Sequence, residues 1–415
     1  MPLDSLVERK WGRWAKTAVA AWIVVVASVC VRAAVQPYKR TLYTTWEQAG
    51  ADWQAGRDLY RKNWQPDRDQ FRYSPLTAAL FVPFHYLPLR VGGVVWRLLN
   101  AVALTGGFAL WLRSAPRDRT REQRGLLFIL LSVLSLSSLN NGQPNPLILG
   151  LLLLALAAAD RERWWVSAAC VALAGAIKIY PLALGLLLVA VYPRRFALRL
   201  ILALVLVAVL PFAYQRWDYV GEQYVLWLER LGKDDRWYWP PHMAYRDLWS
   251  LIRMVHLPLT PLGYRFVQLT CAAVCAGVCV AMRWRGLPRR EILAAILMLG
   301  TCWMTLCGPA TESSTYVLLA PALAWAVHAG ASESWPRYLR WPIGLAFLLF
   351  LICVVRGIWP NVNRIHGLGL QPQGALLLSL VYLAVFAQSL TRYREERSRG
   401  DTVAAEPWTS NRRAG

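Results

Sequence analysis

Residues 17–35 read TAVAAWIVVVASVCVRAAV, and Arg32 is the one charged residue among them. Crossing about 30 Å of hydrocarbon takes about 20 apolar residues in a helix, so this run reads as a membrane span. It lacks the small-residue pattern of a cleavable signal and leads into a tethered loop. The same window, moved outward along the chain, finds apolar runs near residues 75–112, 125–140, 145–159, 164–180, 181–192, 196–213, 264–282, 291–307, 315–330, 341–357 and 374–390.

Composition supports that reading and excludes others. Of 415 residues, 56% are hydrophobic and 17% charged, against roughly 45–50% and about 25% in soluble domains. With 22 Trp, 17 Tyr and 11 Phe the chain is too rich in burial-seeking side chains for a disordered protein. Its formal charge of +22 fits loops at lipid headgroups better than nucleic acid binding. The fold class expected is all-α, a polytopic integral membrane protein of about 12 transmembrane helices. The run 75–112 is cut by Pro83 and Pro88, so its first part is read as a re-entrant or interfacial element and its second as one span. The pair 164–180 and 181–192 is short enough to stop at partial depth.

Orientation follows from Lys and Arg in the short loops. Arg9, Lys10, Arg13 and Lys16 precede the first span, and basic clusters recur at 113–124, 161–163, 194–195, 283–290, 337–340 and 392–399. These loops are assigned to the cytoplasm with both termini, and loops 36–74, 140–146, 214–263, 308–314 and 358–373 to the outside. Residues 1–390 are read as one domain and 391–415 as a basic cytoplasmic tail, disordered beyond Gly400. The external segments 36–74 and 214–263 are rich in Trp and Tyr, and amphipathic stretches within them are expected to lie along the headgroups.

The eight cysteines, Cys271, Cys275 and Cys279 on one helical face among them, show no ligand spacing and are read as packing residues. No metal site is expected; Asp234 and Asp235 are adjacent acids that could bind a cation but are ordinary for a solvated loop. Apart from Glu312, the span interiors lack the Asp and Glu that a proton-coupled transporter carries near its midplane. The outer segment holds Glu47, Asp52, Asp58, Asp67 and Asp69, so a general base would work at the membrane surface.

Three features interrupt the apolar pattern. Asn140-Asn141-Gly142-Gln143-Pro144-Asn145-Pro146 places four amides at a tight turn, a set suited to sugar hydroxyls or phosphate oxygens. Lys178 stands in Gly175-Ala-Ile-Lys-Ile-Tyr-Pro181 between apolar neighbours. An ammonium at mid-membrane costs roughly 2.5–3.5 kcal/mol on insertion scales, so it snorkels or finds an anion such as a lipid phosphate. Pro309-Ala-Thr-Glu-Ser-Ser-Thr-Tyr316 is a hydroxyl-rich helix start that carries Glu312.

The ordered series Ala55-Gly56-Arg57-Asp58-Leu59-Tyr60, Arg72-Tyr73-Ser74-Pro75-Leu76, Asn141-Gly142-Gln143-Pro144-Asn145 and Lys178-Ile-Tyr-Pro181 resembles glycosyltransferase family 87. The resemblance runs over roughly residues 40–330. It implies a GT-C-like membrane fold and inverting transfer of a hexose, by default mannose, from a polyprenyl-phosphate sugar to an external lipid or glycan acceptor. An external-loop acid would deprotonate the acceptor, with no nucleotide, nucleic acid or cofactor, and the divalent cation requirement open. Family members typically carry an Asp soon after the first helix; Leu42-Tyr43-Thr44-Thr45-Trp46 has none, and Glu47 is the nearest acid.

The residues themselves suggest the division of labour. Glu47 or Asp52 would serve as base, with Glu312, Asp58 and Asp235 as further acids, and Lys178 with Gln143 would hold the departing phosphate. Tyr73, Asn141, Asn145, Tyr180 and Glu312 complete the expected substrate-binding set. Membrane lipids are the surroundings, and a bacterial inner membrane the expected location. The competing readings are a transporter or flippase for a lipid-linked saccharide and a non-catalytic scaffold.

Overall fold

The computed structural model describes residues 12–61, 69–116, 119–233, 236, 239–240, 244–332, 335–358 and 368–398, with backbone alone at 356–358 and 394–398. The expected tail beyond 398, the N-terminal Arg9 and Lys10, and the acids Asp67, Asp234 and Asp235 lie outside these residues.

Helices joined by turns and irregular segments make up the described residues, which contain no strand. The chain opens with α1 (Arg13–Val35), α2 (Tyr43–Gln54), α3 (Pro75–His85) and α4 (Leu89–Ser114). It continues with α5 (Arg121–Asn140), α6 (Asn145–Asp160), α7 (Trp164–Ile177), α8 (Leu182–Val191) and α9 (Pro193–Val209). Then come α10 (Trp217–Lys233), α11 (Leu248–Met254), α12 (Pro261–Trp284), α13 (Arg289–Leu306), α14 (Ala320–Ala331), α15 (Arg340–Ile358) and α16 (Leu370–Ser398). Among the described residues, eight helical stretches are long and apolar enough to cross a membrane, and α3, α6, α7 and α8 are shorter apolar helices. The difference from the expected count of about 12 is one of length, together with the charges Arg289, Arg290 and Glu291 at the start of α13.

The breaks fall where the backbone chemistry requires them. Pro88 stands at the N-cap of α4, so 75–112 divides into α3 and α4. Pro181 disfavours helical geometry at the residue before it, and Lys178 is already extended at φ −142°, ψ 146°. The two helices flanking this break form a hairpin, because Trp164 at the start of α7 stacks 5.1 Å from Tyr192 just past the end of α8. At 1.5 Å per residue they rise about 21 and 15 Å, short of a bilayer core of about 30 Å. The Lys178 turn therefore sits within the bundle's depth.

The interior is helix against helix. α13 lies nearly wholly buried among α8, α12, α14 and α16. α4 and α6 approach most closely at glycines: a Cβ on Gly150 would come 2.3 Å from the Ala103 carbonyl, and one on Gly107 would come 2.3 Å from the Gly150 carbonyl. Small residues permit such backbone approach between membrane helices.

The segment that follows α1 packs as an aromatic cap on α3 and α4. Trp46 packs against Tyr73 at 4.0 Å, with the rings tilted by 45°, and meets Phe81 at 5.0 Å and Trp96 at 5.7 Å. Trp96 and Arg97 fix the neighbouring turn between α5 and α6. The Trp96 indole donates to the Gly142 carbonyl at 2.8 Å, and Arg97 donates to the Asn140 carbonyl at 3.0 Å and to Thr41 Oγ1 at 3.1 Å. The Leu42 amide donates to the Asn141 carbonyl at 2.9 Å. Gly142 turns at φ +64°, a conformation that disfavours any Cβ.

Candidate active site

Lys178 is carried to the α7–α8 turn, where the Ser74 hydroxyl ties the end of α7 to the outer segment by donating to the Ala176 carbonyl at 2.5 Å. The ammonium donates to Asn145 Oδ1 at 3.0 Å, and the Tyr180 hydroxyl donates to the same oxygen at 2.9 Å. Asn145 is fully buried at the first turn of α6 and faces Ser314 Oγ at 3.5 Å. Lys178 Nζ also stands 5.8 Å from the ring centres of Tyr73 and Tyr180. An ammonium has three donors. Asn145 takes one, and the half-buried side chain presents the others to solvent or a ligand.

Charge around this group is arranged asymmetrically. Glu312 and Arg72 are the ionised groups that act on Lys178, and Glu312 also acts on Tyr73 and Tyr180. The Glu312 carboxylate is 43% exposed and 3.7 Å from the Arg236 guanidinium. Arg236 in turn lies against the rings of Tyr245 and Trp239. The loop bearing Arg236 and Arg246 is bound to the 309–316 turn: the Arg246 amide donates to the Thr311 carbonyl at 2.8 Å and the Tyr316 hydroxyl to the Arg246 carbonyl at 2.7 Å. Burial pushes the Tyr73 hydroxyl well above its usual pKa, so it remains a neutral donor.

The structure thus brings together Tyr73, Asn145, Lys178, Tyr180 and Glu312. It holds the other expected residues in different bonds. Asp52 Oδ1 accepts from Arg57 Nε at 2.7 Å, Arg61 Nη2 at 3.3 Å and Gln48 Nε2 at 3.1 Å, and its side chain is 7% exposed. Two guanidinium groups and an amide already occupy this carboxylate oxygen, which leaves little of it for an acceptor hydroxyl. Glu47 pairs with His85 Nδ1 at 2.9 Å on the α2–α3 face. Asp58 accepts from the Tyr60 amide at 2.8 Å, a local turn. Asn141 serves the turn through its carbonyl, and Gln143 is buried with its Oε1 unpartnered among the described residues. No metal-binding group of three or more His, Cys, Asp or Glu occurs among the described residues.

Sequence reasoning missed Ser314 and the cations Arg236 and Arg246. Their signal is positional: both arginines lie in the second Trp- and Tyr-rich segment, and both pack through aromatic side chains or backbone on the Glu312 turn.

A family model describing glycosyltransferase family 87 matches residues 71–309, more than half of the chain. The chain belongs to glycosyltransferase family 87. Within this family 87 chain the match spans Tyr73, Asn141, Gln143, Asn145, Lys178 and Tyr180; Glu47 and Asp52 precede it and Glu312 follows it.

Two proteins similar to this chain are named polyprenol-phosphate-mannose-dependent alpha-(1-2)-phosphatidylinositol pentamannoside mannosyltransferase. The one from Mycobacterium tuberculosis is 26% identical over 286 residues, 65% of this chain and 62% of that protein. The one from Mycolicibacterium smegmatis is 27% identical over 284 residues, 65% and 64% of the two chains. The chain spans under two thirds of the length of either relative. GPI mannosyltransferase 1 of Trypanosoma brucei brucei is 30% identical over 116 residues, 28% of this chain and 27% of that one.

Proposed function

We propose that this family 87 protein transfers a hexose, mannose by the names of its relatives, from a polyprenyl-phosphate donor to a lipid or glycan acceptor with inversion. The observation that carries the proposal is the Lys178 ammonium, held by Asn145 at a turn too short of the bilayer's far side to be a snorkelling terminus. A lipid phosphate supplies the anion that this cation lacks. The acceptor O–H loses its proton to a carboxylate, its oxygen attacks the anomeric carbon, and the bond from that carbon to phosphate oxygen breaks with its electron pair. The polyprenyl phosphate leaves as an anion beside Lys178 and Arg72, and the neutral hydroxyls of Tyr73 and Tyr180 supply donors rather than further charge. A leaving group of this kind needs positive charge more than a strong acid.

For the base, Glu312 is favoured over Glu47 and Asp52. It shares the Lys178 group, is 43% exposed and has a 3.7 Å contact to Arg236, whereas Asp52 is held by two arginines at 2.7 and 3.3 Å and Glu47 by His85 at 2.9 Å. Glu47 is the second candidate, because His85 could orient it and its side chain is 21% exposed. The Lys178 end of the bundle is assigned to the external face and both termini to the cytoplasm of a bacterial inner membrane, since the basic loops gather at the opposite end. No divalent cation is needed for the steps as drawn.

The test is incubation of the purified protein with radiolabelled polyprenyl-phosphate mannose and a lipid acceptor extract. Labelled product whose formation at subsaturating donor falls sharply in Lys178→Met supports the proposal. Movement of labelled donor across a vesicle membrane without product would make the protein a carrier and overturn it.

A further inference from the structure

A second cationic site lies on the other flank of the Asn140–Asn145 turn. α1, α5 and α15 enclose a groove of about 410 Å³ at the end of the bundle that carries Lys178. Arg32, Lys39 and Arg40 line it together with Gln36, Ser137 and Asn140, while Val29, Leu136 and Val354 form its apolar part. None of the three cations has an acidic partner among the described residues.

Behind the groove stands a fourth positive charge. Arg97 is 5% exposed, and its hydrogen-bond acceptors are the Gly93 and Asn140 carbonyls and the Thr41 hydroxyl, with Nε buried and unpartnered. No carboxylate among the described residues pairs with it, and Arg32 acts on it as a like charge. Arg40 also holds a left-handed backbone at φ +49°, a conformation seldom kept by a non-glycine residue without local compensation. Lys39 and Arg40 lie past the end of α1, so pairing with the helix dipole accounts at most for Arg32.

Like charges gathered without a counter-ion raise the local potential and favour an anion. The anion's form follows from the groove's two halves. Polar and cationic groups line one part, Val29, Leu136 and Val354 line the other, and the neighbouring Val31 and Val35 are exposed on α1. We infer that this groove binds the phosphodiester headgroup of an anionic membrane lipid, with an acyl chain against its apolar part. This site is separate from the Lys178 group and does not depend on the catalytic reading.

The test uses the full-length protein in phosphatidylcholine nanodiscs containing a minor fraction of phosphatidylglycerol, with lipid retained through detergent exchange counted by native mass spectrometry. The parent should retain phosphatidylglycerol over phosphatidylcholine. Arg32→Gln combined with Lys39→Gln and Arg40→Gln should lower that preference by roughly tenfold or more. Lys178→Met should leave it unchanged, which separates this site from the donor site. The exposed single variant Lys39→Gln, which spares the packed residues, should show a smaller loss in the same direction. Excess inorganic phosphate should fail to displace the lipid; displacement would make this a free-anion site and overturn the assignment to lipid. Equal retention of the two lipids by the parent, or an unchanged preference in both variants, would also overturn it.

Discussion

Lys178 and Asn145 are 33 positions apart in sequence and 3.0 Å apart in space, ammonium to side-chain carbonyl. The contact joins the tip of a short hairpin to the first residue of another helix, and Tyr180 shares the same acceptor oxygen. Asn145 therefore sets the direction of the ammonium without neutralising it, leaving its charge for a ligand.

Replacing that charge should weaken donor binding more than turnover. Lys178→Met is expected to raise the apparent donor KM by roughly ten- to hundredfold, the range for a hydrogen bond to a charged group. Asn145→Leu should produce a similar loss by freeing the ammonium. Steady-state kinetics with a fixed acceptor concentration read both effects, and an unchanged KM in Lys178→Met would remove the phosphate-holding role.

Glu312→Gln should lower kcat by about 10²–10⁴, the usual contribution of a general base, with donor KM little changed. Asp52→Asn should instead show its effect in stability, by about 1–3 kcal/mol through the guanidinium groups left behind, with turnover nearly intact once folded. Glu47→Gln serves as the comparison. Loss of turnover in Glu47→Gln with full activity in Glu312→Gln would move the base to α2.

How much of this was legible in the sequence depends on the range of the interactions. Each apolar run became helical, and Pro88 and Pro181 marked real breaks, because hydrophobic periodicity and proline geometry act locally; Pro83, expected to cut the chain, lies inside α3. Lys178 stood out because a cation among apolar neighbours needs a partner. The roles of Asp52 and Glu312 were not legible. Arg57 and Arg61 fold back onto Asp52 only after α2 ends, and Arg236 reaches Glu312 from a distant loop. Several acids in one outer segment look equivalent until tertiary contacts give each its partner.

Asp247 gives the structure a pH dependence of definite sign. It lies at the N-cap of α11, accepts from the Ser250 amide at 3.1 Å, and burial raises its carboxyl from 3.8 to about 6. Ionised, it is less favourable in the folded chain than in the unfolded one. Its contribution to stability therefore declines as pH rises from 3.8 to about 6, and the penalty is complete above that window. Asp247→Asn retains a capping acceptor and removes the charge. Its thermal midpoint should exceed the parent's at about pH 7.5 and approach it only at about pH 4 or below; parallel curves for the two proteins would contradict this.

The α4–α6 contact offers a test of packing. Gly150→Ala would place a methyl group against the Ala103 carbonyl, 2.3 Å from its oxygen. A loss of about 1–3 kcal/mol is expected for such overpacking. Thermal unfolding in detergent measures it, and an undiminished midpoint would mean that the helices can part without penalty.

The α7–α8 hairpin is shorter than the membrane that surrounds its neighbours. Thinning of the bilayer is one way lipids beside a short wall relieve such mismatch, and it would bring the membrane surface toward the Lys178 turn. Under the proposed function, a long-chain isoprenoid would present its phosphate there while its tail stays in its own leaflet, with no need to be drawn out of the bilayer before each transfer.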